Sequence, residues 1–124
     1  MSTAGRTARV GAGCQTADMP SYRLLAEVTA VKGETRPTDV LVIAREVVER
    51  THLVEKVSLD LVRGTPVVTV RLVVPESNDD AEDHEAFDLA QRYLVAMSEF
   101  VDVRRVEVRR RIKGRFEPIT RPPR

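Results

Sequence analysis

The sequence is poor in the residues that build disulfides and metal sites. Its 124 residues include a single cysteine, Cys14, so neither an intramolecular disulfide nor a cysteine-based metal site can form. Cys14 also falls in an N-terminal stretch that we expect to be flexible. Nothing there would hold the thiol beside the cation or helix terminus that activates a cysteine. We therefore expect Cys14 to be chemically incidental.

Long hydrophobic runs are absent as well. No apolar run approaches the roughly 18 residues of a membrane-spanning helix. The short Val-Gly-Ala-Gly-Cys stretch before and at Cys14 has no hydrophobic segment ahead of it, which argues against a lipidation site. From the sequence we expect a cytoplasmic protein with no membrane contact.

Histidine and glycine are scarce, which argues against the common kinds of active site. The only two histidines, His52 and His84, fall near predicted helix ends, and the six glycines form no phosphate-binding loop. Asp80, His84 and Asp88 share one helical face and could hold a divalent metal. Acidic residues in a first helical turn are, however, also explained by the helix dipole. We expect no enzymatic activity, no cofactor and no metal.

The charge is nearly balanced overall but segregated along the chain. The formal net charge is +1, yet residues 76–88 carry seven acidic and no basic side chains. Residues 101–124 carry nine basic side chains and three acidic ones. The basic stretch could contact phosphates, form a solvated strand edge, or meet the acidic segment of another subunit.

The apolar patterns divide the chain into a tail, a domain and a second tail. Residues 1–20 lack apolar periodicity and predict a flexible N-terminal tail, and 115–124, with three prolines, predict an extended C-terminal tail. Between them, 21–114 form a single domain of alternating strand and helix patterns. The predicted strands are 22–31, 55–63, 65–75 and 103–113, and the predicted helices are 39–51 and 79–99.

The order strand, helix, strand, strand, helix, strand predicts an α+β fold. It matches the ferredoxin-like βαββαβ arrangement, a four-stranded antiparallel sheet in the order 4-1-3-2 with both helices on one face. Arg63-Gly64 predicts the central hairpin. The expected core combines apolar residues of the sheet and both helices: Val68, Val70, Leu72, Ile43, Val47, Phe87, Ala90, Leu94 and Val108.

The uncovered face of that sheet is the surface that the sequence singles out. It lacks the exposed aromatic residues on the central strands with which RNA-binding sheets stack bases. Its charged residues predict cross-strand ion pairs, and its β-branched residues suggest a contact with another protein surface. The predicted partner-binding residues on this face are Leu25, Val31, Val67, Thr69, Arg71, Val73, Arg109 and Arg111. In the C-terminal tail, Phe116 and Ile119 are the large apolar residues that could dock on a partner.

Three hypotheses for function follow. The first is a non-enzymatic protein-interaction or assembly module that self-associates or docks into a larger complex through the open sheet face. The second is a nucleic-acid-associated protein that uses its arginine-rich C-terminal strand and tail. The third is a regulatory domain that senses a small molecule. Fold class does not choose among them.

Overall fold

The computed structural model describes residues 19–122, which fold into two helices and one five-stranded antiparallel sheet. The N-terminal tail predicted for 1–20, including Cys14, lies outside the described residues except for Met19 and Pro20. No helix within this described range is long and apolar enough to cross a bilayer. The elements are β1 (Ser21–Val31), α1 (Val40–Glu49), β2 (Leu53–Val62), β3 (Thr65–Val73), α2 (Asp79–Met97), β4 (Val101–Ile112) and β5 (Arg115–Pro118).

The strands lie side by side in the order β2-β3-β1-β4-β5. β1 is the middle strand, because it pairs with β3 on one side and with β4 on the other. The first four strands have the neighbours that the sequence predicts. The predicted four-stranded sheet is nevertheless wrong in its strand count, because β5, from the segment expected to be a tail, pairs along β4.

Two tight hairpins join the outer strands. Arg63 (φ +53°) and Gly64 (φ +81°) connect β2 to β3, and Lys113 (φ +52°) and Gly114 (φ +82°) connect β4 to β5. Two consecutive residues at positive φ are typical of the two-residue turn whose twist matches that of the strands. The second hairpin therefore has the same turn conformation as the first, and it adds β5 to the sheet.

Local side-chain contacts fix the starts of both helices. A short 3₁₀ turn, Pro37–Asp39, precedes α1, and the Arg36 backbone N–H donates to Asp39 Oδ2 at 3.2 Å. The Arg36 hydrogen bonds lower the pKa of the Asp39 carboxyl. The start of α2 is capped by Asn78, whose Oδ1 accepts the Ala81 N–H at 2.9 Å, an arrangement that satisfies one unpaired N–H of the first turn.

The hydrophobic core lies between the sheet and the two helices, which also contact each other. Alternate residues of the central strands are fully buried there, Leu24, Val70 and Leu72 among them. The predicted phase of α2 is only partly right. Phe87 and Leu94 are half-buried, whereas the buried stripe consists of Ala86, Leu89, Ala90, Tyr93 and Met97.

Candidate interaction surface on the open sheet face

The face of the sheet opposite the helices carries mainly charged side chains. We call this side of the sheet the open face. It consists of the strand residues that alternate with the core-facing ones, and both helices of the described chain lie on the opposite side. Basic positions outnumber acidic ones on it. The basic ones include Arg23, Lys56, Arg71, Arg105, Arg109 and Arg111, and the acidic ones include Glu27, Asp60, Asp102 and Glu107. At register shifts, Glu55 and Arg104 add one charge of each sign through their ion pairs with Arg71 and Glu27.

Phe116 lies among the arginines of this face. The Arg23 guanidinium carbon is 4.0 Å from the centre of the Phe116 ring, and that of Arg71 is 5.2 Å away. Both distances are within the range of a cation–π attraction, which strengthens as water is excluded. Phe116 thus comes from β5 yet contacts side chains of β1 and β3, and it holds two arginines over the middle of the sheet.

Several charges of the open face are paired within the chain. Arg71 Nε lies 3.0 Å from Glu55 Oε1, and Arg105 Nε lies 2.8 Å from Glu27 Oε2. Arg109 pairs with Glu107 on its own strand. Cross-strand ion pairs are therefore present, but the ladder that the sequence suggests among Glu27, Arg71 and Arg109 is not formed, because each of the three pairs with another residue.

Three cations of the face have no such partner. Within residues 19–122, no carboxylate lies in ion-pair distance of Arg23, Lys56 or Arg111. Lys56 and Arg111 are exposed, and Arg23 is half-buried against Phe116. The face therefore presents a local excess of positive charge to whatever approaches it.

The structure divides the predicted contact residues of the face into accessible and buried ones. Leu25 and Thr69 are half-buried near its centre. The prediction for Val31 is wrong in its side of the sheet: register shifts around Val28 set Val31, which is 38% exposed, opposite the buried Val101 on the helix side. Val67 is 7% and Val73 only 1% exposed, so neither offers much surface. The exposed residues of the face include Lys56, Asp60, Val62, Arg105 and Arg111.

The two predicted docking residues of the C-terminal segment contact their own chain. Phe116 is half-buried beneath Arg23, and Ile119 is half-buried against the core. The Ile119 backbone N–H donates to the Val108 carbonyl at 3.1 Å. Farther on, Arg121 Nη1 lies 3.0 Å from Asp88 Oδ1 on α2. Whether Phe116 or Ile119 also contacts a partner stays a prediction.

Arg110 forms a charged cluster on the helix side of the sheet that sequence reasoning missed. Arg110 Nη1 donates to Asp83 Oδ1 at 2.8 Å, and Nη2 donates to Glu82 Oε1 at 2.7 Å. The guanidinium also donates to the Tyr22 hydroxyl at 2.8 Å, and that hydroxyl donates to Asp83 at 2.5 Å. The cluster joins β4 and β1 to the first turns of α2.

The cluster is largely shielded from water. The side chains of Arg110 and Asp83 are 16% and 17% exposed, and that of Glu82 is 4% exposed. Burial, together with the hydrogen bond to Asp83, raises the pKa of the Tyr22 hydroxyl well above its usual range. Burial alone would lower the pKa of Arg110, but the hydrogen bonds to Asp83 and Glu82 outweigh it and raise that pKa. The cluster holds Arg110 charged and Tyr22 neutral.

A signal for this cluster was present in the sequence. Strand alternation places Arg110 on the inward side of β4, between Val108 and Ile112, where an apolar residue is expected. A buried arginine needs carboxylate partners. The acidic start of α2 supplies them, so part of the acidic segment is neutralised within its own chain.

A cleft of about 670 Å³ opens at the end of the sheet beside the Arg110 cluster. Its lining includes Glu55, Arg71, Glu82, Arg110 and Lys113, so charges of both signs surround it. Pockets for drug-sized ligands are lined mainly by apolar side chains, and this cleft is not. Arg71 pairs with Glu55 and Arg110 pairs with Glu82 in its walls, whereas Lys113 has no ion pair within residues 19–122.

The two histidines lie on the helix side of the sheet: His52 follows α1, and His84 is in α2. His52 Nε2 is 2.7 Å from Glu85 Oε2, and the His52 side chain is 5% exposed, so it links the start of β2 to α2. His84 and Asp88 line the same shallow depression as His52. No group of three histidine, cysteine or acidic side chains in the described part of the chain is placed to hold a metal ion.

Comparisons with protein-family models, with curated proteins and with solved structures find no match to this chain.

Proposed function

We propose that this protein is a non-enzymatic interaction module with a ferredoxin-like fold, whose open sheet face docks onto an acidic surface of a protein partner. The observation that carries the proposal is the arrangement of Arg23 and Arg71 around Phe116 on a face that no helix of residues 19–122 covers. Stacking on the ring orients both guanidinium groups before a partner binds. Less side-chain entropy is then lost on association.

The charge of the face favours an acidic partner over a second copy of the same face. Basic positions outnumber acidic ones on the face, and Glu27, Glu55 and Glu107 are already engaged by arginines. Two such faces brought together would set like charges against each other, which opposes association. An acidic surface would instead pair with Arg23 and Arg111.

The same features disfavour base stacking as the main mode of recognition. Phe116 is the one aromatic side chain on the open face, and Arg23 already stacks on its ring. Sheets that bind single-stranded RNA offer two or three unoccupied aromatic rings to the bases.

Nucleic acid remains the second candidate on a separate observation. Arg104 and Arg105 are both 69% exposed, and Lys113 and Arg115 are exposed at the β4–β5 turn. Such side chains can contact phosphates without reading sequence. Binding of this kind would weaken steeply as salt is raised.

In-cell photo-crosslinking tests the proposal and separates the two candidates. A photoreactive amino acid replaces Thr69 at the centre of the open face, or Gln91 on the exposed side of α2 as the matched control site. We expect a protein adduct from position 69 that resists nuclease, and none from position 91. Arg23→Glu should abolish the adduct, whereas Arg92→Glu, an equal charge change on α2, should preserve it.

A nuclease-sensitive adduct at position 69 would instead favour nucleic acid. Equal crosslinking from both positions, or an adduct that survives Arg23→Glu, would contradict a specific site on this face. An adduct with the mass of two copies of this chain would show that the face self-associates.

A further inference from the structure

The two edge strands of the sheet, β5 and β2, differ in length and in how well they prevent further strand pairing. β5 has four residues, Arg115–Pro118, and carries charge and a proline, features that discourage further strand pairing. β2 has ten residues, Leu53–Val62, with no proline, and its outer edge has no neighbouring strand within the described chain. A register shift interrupts its pairing with β3 between Val54 and Lys56, but residues Lys56 to Val62 pair regularly. A regular, uncovered edge of this kind is a template for another strand.

The backbone groups that β2 leaves unpaired follow from its hairpin. Arg63-Gly64 is a two-residue turn, so its closing pair Val62–Thr65 exchanges backbone hydrogen bonds, and bonded pairs then alternate along the ladder. Ser58 and Asp60 therefore direct their backbone groups toward β3. Val57 and Leu59 direct theirs outward.

Apolar and charged side chains accompany these outward groups. Leu59 and Leu61 are 50% and 72% exposed, although isolated edge strands usually carry charge at such positions. Lys56 and Asp60 are both exposed, and neither pairs with an opposite charge in residues 19–122. They cannot pair with each other, because four residues of a strand span about 13 Å.

We propose that two copies of this chain associate through their β2 strands, antiparallel about a two-fold axis at Ser58. In this register Val57 of each copy lies opposite Leu59 of the other, and Lys56 lies opposite Asp60. The outward backbone groups of Val57 and Leu59 pair across the interface. Both unpaired charges of each copy then gain an opposite partner, and the two five-stranded sheets become one continuous sheet.

Charge selects this register over its neighbours. An axis moved by one residue in either direction sets Lys56 opposite Ser58 or Val62, so the ion pairs are lost. An axis at Lys56 or at Asp60 sets like charges directly opposite each other, which is destabilising. The strand is self-complementary in one register only, a property expected of a two-fold interface.

Sedimentation equilibrium of the full chain and its charge variants tests the proposal. Wild type should form dimers at micromolar concentration. Lys56→Asp and Asp60→Lys should each weaken the dimer about tenfold, because each variant sets two like-charged pairs across the axis. The double variant Lys56→Asp/Asp60→Lys should recover wild-type affinity to within about threefold, since the swap restores both pairs.

Mixing the two single variants gives a second, independent readout. One copy then carries two acidic and the other two basic side chains, so the heterodimer should form in preference to either homodimer. Arg92→Glu on α2 is the control and should dimerise as wild type does. Circular dichroism of each variant should show an unchanged fold, because both substituted positions are exposed.

A wild-type chain that stays monomeric at high micromolar concentration would overturn the proposal. So would a dimer that tolerates both single variants, or a charge swap that fails to restore association.

Discussion

Replacing Arg110 with methionine tests the buried cluster that joins β4 to α2. Methionine keeps much of the side-chain volume but leaves Glu82 and Asp83 without their cation, and both carboxylates are at least four-fifths buried. Removing one partner of a buried ion pair costs about 3–5 kcal/mol, and the partial exposure of Asp83 favours the lower value. We expect a loss of about 3 kcal/mol of unfolding free energy, which for a domain of this size lowers Tm by about 12 °C.

The neighbouring residue provides the control. Arg109 has the same chemistry one position away, but it lies on the open face and pairs with Glu107 at 35% and 31% exposure. Such exposed pairs contribute under about 1 kcal/mol, so Arg109→Met should leave stability nearly unchanged. Urea unfolding with the slope held common to all variants measures both losses.

A double variant isolates the pair itself. Glu82→Gln on the Arg110→Met background should cost less than Glu82→Gln on wild type, because the carboxylate is then already unpaired. If Arg110→Met and Arg109→Met destabilise equally, or if the two losses at 110 and 82 simply add, the cluster does not act as described.

Two further predictions concern the core. Tyr22 and Tyr93 are the only tyrosines, both are fully buried, and burial raises the pKa of each above its ordinary value of 10.0. Above pH 10 the unfolded chain therefore loses these protons while the folded chain keeps them. The free energy of unfolding should fall there by about 1.4 kcal/mol per pH unit per tyrosine. Tyrosinate absorbance followed with pH should rise together with unfolding, and a rise in the folded protein would contradict the burial. Leu89→Ala should cost about 2–5 kcal/mol and Phe87→Ala distinctly less, because Leu89 is 2% exposed and Phe87 is half-buried. Thermal melts of the two variants compare them, and the reverse order would mean that α2 is rotated from the position described.

Strand alternation and helical periodicity were sufficient to predict the two helices and the first four strands. They missed β5 because four residues are too few to show alternation and because Pro118 argues against a strand. The turn was the better signal, since Lys113-Gly114 repeats the pattern of Arg63-Gly64. A basic residue followed by glycine between two strand patterns indicates a hairpin at 113–114 as it does at 63–64.

The open face was predictable in position but less so in character. Alternation correctly places Val67 and Val73 on it, yet both are buried, and a one-dimensional pattern does not contain that information. The contact of Phe116 with Arg23 joins residues far apart in the chain and needed β5 to be in place. The Arg110 cluster was not predicted, because the helix dipole already explains acidic residues at the start of α2.

The central position of β1 has a consequence for folding. β1 is the first strand of the described chain, but one of its two neighbours is β4, which begins at Val101. Until that late segment is available, β1 exposes an unpaired edge of eleven residues beside apolar side chains. Pairing across such a separation is slow compared with closing a hairpin. A newly made chain therefore passes through a stage in which the central strand of the sheet presents an open edge, the kind of edge on which chains aggregate, and this exposure ends when Val101–Ile112 pairs.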